Sequence, residues 1–238
     1  DGCTLLNNAA VIATFTASFA KLGYDPIADL MPIGGIGITP TLLITASSNP
    51  VNDLKGLISA SKSKPDGLNF STAGYGLLQH LAVEEIASRS GGKFTHVAYK
   101  GGAQALTDVA SGQAQAIFEG LVTLAPQIKA GRIRALAITG ERRDSTLPDT
   151  PTFAQAGLPA YDAYFWSGLV APAGTPPEII RRLNAEIIKG FAQSDVLEAL
   201  AKQGIEEASG PPEALAALVK AEVPRWAKVI KGAGIKVD

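Results

Sequence analysis

Three strand-to-helix turns in this 238-residue chain gather the small polar residues that can hold an anion without a metal. Ser71-Thr72-Ala73-Gly74-Tyr75-Gly76 offers two hydroxyls, and its glycines let the backbone come close to a ligand. A helix opening behind such a turn presents free N–H groups, which favour an anion even with no basic side chain nearby. The bland alternative is a tight turn with a serine cap. Tyr99-Lys100-Gly101-Gly102 repeats the device one unit later, with Lys100 either neutralising an anion or standing in solvent. Asn7-Asn8, after the first strand, is a third such turn or ordinary turn chemistry. His80 lies four residues inside the helix that Gly76 opens, either facing a ligand or bonded to a nearby carbonyl. Glu119 ends the strand Ala114–Phe118 and points to the same rim. There it accepts from a ligand hydroxyl or amine, or it caps the next helix. Trp166 walls a cleft or fills a core.

Other chemistries lack their residues. One cysteine (Cys3) and two histidines (His80, His96) make neither an intrachain disulfide nor a Cys/His zinc site. There is no G-x-S-x-G elbow and no H-E-x-x-H. Gly92-Lys93 runs into Phe94 rather than the Ser or Thr of a phosphate loop, and Gln79 stands where a dinucleotide fingerprint needs its third glycine. No metal, cofactor or catalytic residue is implied. With 21 Lys and Arg against 22 Asp and Glu, the net charge of −1 argues against nucleic acid or an anionic membrane surface as partner. The longest apolar stretch, Ala9 to Ala20, is broken by Thr14, Thr16 and Ser18. It falls short of the roughly 20 residues that cross a bilayer.

The candidate residues need elements to position them. At 46% hydrophobic and 18% charged, the chain has an ordinary globular profile. From Val51 to Gly140 short strands alternate with helices. Asn52 or Asp53 caps a helix bearing Leu54, Leu57 and Ile58; the strand Leu68–Ser71 follows, then a helix carrying Leu77, Leu78, Leu81, Ala82 and Ile86 up to Gly91-Gly92. Phe94–Ala98, Ala114–Phe118 and Ile133–Thr139 read as strands, with helices Ala103–Ser111 and Leu121–Ala130 between them. Such alternation predicts right-handed crossovers and a mainly parallel sheet, whose ligands bind beyond the carboxyl ends of its strands. Past Arg142, Pro148, Pro151 and Pro159 mark a loop, and Tyr164–Val170 reads as a strand. Thr175-Pro176-Pro177-Glu178 is a capping box with proline at the first helical position. Further helices begin near Ser194 and Pro212, the last kinked at Pro224. The expected organisation is two α/β lobes, 48–161 forming one and 1–47 with 162–238 the other.

Five runs carry a resemblance: SxAGxGxxQHLAxE (71–84), HVAYKGGAQALTDVASGQ (96–113), AGRIRALAITGERR (130–143), LPDTPTFAQAGLP (147–159) and WSGLVAPAGTP (166–176). Together, in this order, they resemble the Bug/TctC family of extracytoplasmic solute-binding proteins of tripartite tricarboxylate transporters. The resemblance implies a type II periplasmic-binding-protein fold, two lobes joined by two crossing strands, closing on a carboxylated organic solute. It implies membrane permease subunits as partners, a periplasmic location, a signal peptide in the precursor, no nucleic acid and no direct membrane insertion. In the family two opposed turns hold the carboxylate, one matched here by Ser71–Gly76 and the other lying ahead of Asp1-Gly2. A truncated start is therefore expected, with poor binding by the free fragment and an open strand edge beside residues 4–8 for a neighbour to cover. Cys3 replaces the family's usual Tyr, and Ala98 its usual Pro. The rival reading is an enzyme of the same two-lobed fold acting on a small carboxylate, which turnover would reveal. An effector lobe of a regulator shares the fold but needs a DNA-binding helix, and no basic helix stands in the sequence. Backbone donors read a carboxylate without reading the rest of the molecule, so the solute stays open.

Overall fold

Six consecutive residues, Thr41–Ala46, are buried, which requires a strand inside a sheet covered on both faces. The computed structural model describes residues 5–10, 12–14 and 23–235, with Asn8 and Ala9 described by their backbone. Its strands are β1 (Leu6–Ala9), β2 (Leu30–Thr39), β3 (Thr41–Ala46), β4 (Leu68–Thr72), β5 (Phe94–Ala98), β6 (Ala116–Gly120), β7 (Ile133–Ile138), β8 (Phe165–Pro172) and β9 (Glu206–Glu207). Its helices are α1 (Leu54–Ser63), α2 (Leu78–Ser90), α3 (Gly102–Ala110), α4 (Leu121–Lys129), α5 (Pro177–Phe191), α6 (Ser194–Lys202) and α7 (Pro212–Ala233). Contacts divide the chain into two units, Pro40–Tyr164 and the residues on either side of it. The sequence reading set these boundaries at 47/48 and 161/162. By its strand pairing β3 goes with the central unit, and a Thr41 hydroxyl bond to the Ala163 carbonyl at 2.6 Å ties the far end of that unit to its start.

The central unit holds a five-stranded sheet in the order β5-β4-β6-β3-β7. β4 runs parallel to β5 and to β6, as the βα alternation requires. β3 lies antiparallel to both β6 and β7, an insertion that corrects the simpler parallel picture. An apolar run such as TLLITA reads the same in either direction, so its orientation is invisible in the pattern. The core is packed by Phe70, Phe118, Phe153 and the leucines of β3, α1 and α2. Tyr161 packs its ring, tilted, against Phe153 at 4.4 Å between centroids and donates its hydroxyl to the Ala82 carbonyl, so the proline-rich stretch is fastened onto α2. Asp53 caps α1 by accepting from the Gly56 N–H at 2.6 Å.

The second unit holds a sheet in the order β1-β8-β2-β9, antiparallel throughout. Sequence pattern assigns no element to 30–39, where Gly34, Gly35 and Gly37 interrupt the β-forming residues. The structure shows why β2 tolerates them: its register against β8 shifts twice, between Pro32 and Gly34 and between Gly35 and Gly37. A Cβ on Gly35 would collide with the Ala208 carbonyl, so close backbone approach demands glycine there. Asn184 of α5 donates to the carbonyls of Ile33 and Gly210 at 2.9 and 2.7 Å, fixing that helix to the sheet. The capping box at α5 is corrected: Thr175 turns its hydroxyl back to the Pro172 carbonyl at 2.7 Å, and Pro176 occupies the cap position with no side-chain bond. Its missing N–H needs no partner at a helix start.

Candidate functional site

In the central unit the carboxyl ends of β4, β5 and β6 feed the first turns of α2, α3 and α4. Ser71, fully buried, donates its hydroxyl to the Ala105 carbonyl of α3 at 3.1 Å, so that proton serves packing and not the rim. Thr72 donates to the Gly74 carbonyl at 2.9 Å and lies 2.6 Å from His96 Nε2. Gly76, at φ 73°, donates its N–H to His80 Nδ1 at 3.2 Å, and His80 Nε2 faces the Glu84 carboxylate at 3.7 Å. The two imidazoles stack at 3.7 Å, with Phe70 beneath His96 and the exposed Tyr75 ring 4.7 Å from His80. Burial, reinforced by the neighbouring His80, lowers the His96 pKa to about 3.

One strand along, Tyr99 donates its N–H to the Thr72 carbonyl at 3.0 Å and its hydroxyl to Asp108 at 2.5 Å. That bond to Asp108, with some desolvation, raises the phenol's pKa. Lys100 is exposed. Gly101, at φ 134°, turns the chain into α3, and nothing lies within 4 Å of where its Cβ would be. The third strand brings Glu119, which stands within β6 and not after it. Its Oε1 accepts from the Gly120 N–H at 2.8 Å and its Oε2 from Gln79 Nε2 at 3.3 Å. Burial raises its pKa, opposed by those two bonds. A Cβ placed on Gly102 would lie 3.2 Å from Oε2.

The structure thus groups Thr72, Ala73, Gly74, Gly76 and His80 at one turn, ties Tyr99 to it, and sets Glu119 against Gln79 and Gly102. Trp166 belongs to the other unit, buried at 3% exposure on β8, its indole N–H without a hydrogen-bond partner among the described residues. Asn8 pairs across from Gly168 on β1; its side chain lies outside the described residues. Sequence reasoning missed His96, Gln79, Tyr75 and Asp108 as parts of this rim. Period-two alternation along β5, which puts His96 with Ala98, was the available signal for the first. Among the described residues no His, Cys, Asp and Glu cluster could hold a metal ion, and no helix is long and apolar enough to cross a membrane.

Residues 1–235 match the family model described as tripartite tricarboxylate transporter family receptor, TctC. The structure of Rpa4515 from R. palustris with adipate is 34% identical, with TM-score 0.86, over 99% of this chain and 79% of that one. The periplasmic binding protein BugD is 31% identical, with TM-score 0.83, over 99% and 80%. MatC (Rpa3494) from Rhodopseudomonas palustris with bound malate is 32% identical, with TM-score 0.79, over 97% and 80%. The shared architecture is the α/β type II periplasmic-binding-protein fold, and these relatives are solute-binding proteins, not enzymes.

Proposed function

From the TctC family of tripartite tricarboxylate transporter receptors, to which this chain belongs, we propose that it is a periplasmic receptor for a small carboxylated organic solute. It hands that solute to the membrane permease subunits of a tripartite transporter, or reports it to a sensor. The observation that carries this reading is the match over residues 1–235 together with a rim of helix N-termini on small polar turns. Adipate and malate in the related structures support a carboxylate as ligand class.

In this reading the ligand carboxylate meets first-turn N–H groups behind Ser71–Gly76 and Tyr99–Gly102, other than the His80 N–H, which is bonded to the Leu77 carbonyl at 3.0 Å. His80 and Thr72 hold the first turn in shape, and Lys100 adds a solvent-side positive charge. The set therefore recognises charge and leaves the remainder of the solute to other contacts.

Calorimetric titration of the purified protein with mono- and dicarboxylates, adipate and malate among them, tests the reading. A bound acid at a hundred times its Kd should also raise the unfolding free energy by about 2.7 kcal/mol. No heat and no stabilisation from any carboxylate would refute it, and chemical turnover of a bound acid would restore the enzyme reading. Uptake of the same acid by cells with and without the permease subunits tests the transport role.

A further inference from the structure

We propose that Glu119 makes this rim selective for carboxylic acids that also carry a hydrogen-bond donor, a hydroxyl or an ammonium, able to reach its Oε2. The inference deepens the carboxylate-receptor reading and rests on it. Glu119 shares the carboxyl edge of the sheet with both candidate turns: Gln79 at the start of α2 holds one of its oxygens, and Gly102 at the start of α3 lies against the same oxygen.

Three features point to an awaited donor. First, among the described residues no ion pair includes Glu119, and its two partners, Gly120 N–H and the Gln79 amide, are neutral. Second, those two bonds use one acceptor site on each oxygen, whereas a carboxylate oxygen accepts two. The geometry is held, because Gln79 is itself buried at 7% exposure and its amide pins Oε2 in place. Third, Gly102 keeps the space beside Oε2 free of a side chain, and Gly101 has open space as well. A simple dicarboxylate on this edge would bring a second negative charge toward Glu119, and like charges at short range repel. A solute with a hydroxyl or ammonium beside its carboxylate turns that repulsion into a charge-assisted hydrogen bond.

Two series of matched chain length test this: succinate, malate and aspartate; and adipate, 2-hydroxyadipate and 2-aminoadipate. In at least one series the parent should bind a donor-bearing member about tenfold to a hundredfold tighter than the plain diacid. Glu119→Gln, which keeps shape and removes charge, should bring the ratio to within about threefold, with affinity for the plain diacid equal or higher. If that variant does not fold, the parent's own preference is read against pH, and it should narrow as acid protonates Glu119. A ratio unchanged in Glu119→Gln, a parent preferring the plain diacid, or a preference flat with pH would overturn the proposal while leaving the receptor reading intact. A parent that binds neither series also ends it, whatever other acids the wider screen finds; only failure of every carboxylate ends both.

Discussion

His80 and His96 lie face to face, ring centroids 3.7 Å apart and planes 19° from parallel, and each holds a different end of the same turn. His96 meets the Thr72 hydroxyl, and His80 Nδ1 receives the Gly76 N–H. Burial, and after it the neighbouring His80 ring, disfavour a charge on His96. The turn that presents N–H groups to the rim is therefore held at both ends by one stacked pair.

The first prediction is a pH dependence of stability. The folded His96 pKa is depressed from 6.5 to about 3, so between those values the unfolded chain binds more protons. Stability should be complete above the unfolded value and fall as pH drops from about 6.5 toward 3. Melting temperature against pH for the parent and for His96→Asn reads it: the parent should lose more over this window. Superimposable slopes would remove His96 as the cause.

Gly76 and Gly74 should respond differently to a methyl group. Gly76 sits at φ 73°, where an L residue costs about 1–2 kcal/mol. A Cβ on Gly74 meets the movable Leu77 side chain at 3.1 Å. Urea unfolding should show Gly76→Ala clearly destabilised and Gly74→Ala close to the parent, and the reverse order would contradict the geometry.

Ser71→Ala separates packing from binding. The hydroxyl belongs to Ala105, so its loss should cost about 0.5–1.5 kcal/mol of stability. Carboxylate affinity measured by calorimetry should stay within about twofold of the parent, less than half a kcal/mol. An affinity loss at unchanged stability would place Ser71 on the ligand instead.

Thr139→Val tests the start of the central unit. Thr139 Oγ1 accepts the buried Thr41 N–H at 2.9 Å, and valine would leave that donor unsatisfied. The expected cost is about 1–3 kcal/mol, read as a lower urea midpoint at constant slope. A midpoint within error of the parent would show another acceptor taking over.

Much of the central unit was legible because its signals are local. Periodic leucines, Asp53 as a cap, Gly91 as a left-handed helix end and glycine turns after each strand are dictated within a few residues of themselves. The candidate turns were found for the same reason, and five ordered motifs sufficed to indicate the family.

What composition and spacing determined, then, is a βα-alternating chain with small polar residues at the ends of its strands. Tertiary structure alone decided how they are used. Parallel pairing of β4 with β5 set Phe70 opposite His96 and so made a stacked pair from residues 26 apart in sequence. Packing of α3 on β4 claimed the Ser71 hydroxyl, and Gln79, 40 positions from Glu119, became the donor that orients it. The direction of β3 was settled by its partners on either side. Hydrogen bonds and burial act over a few ångströms in space, and sequence distance does not record which side chains the fold will bring within them.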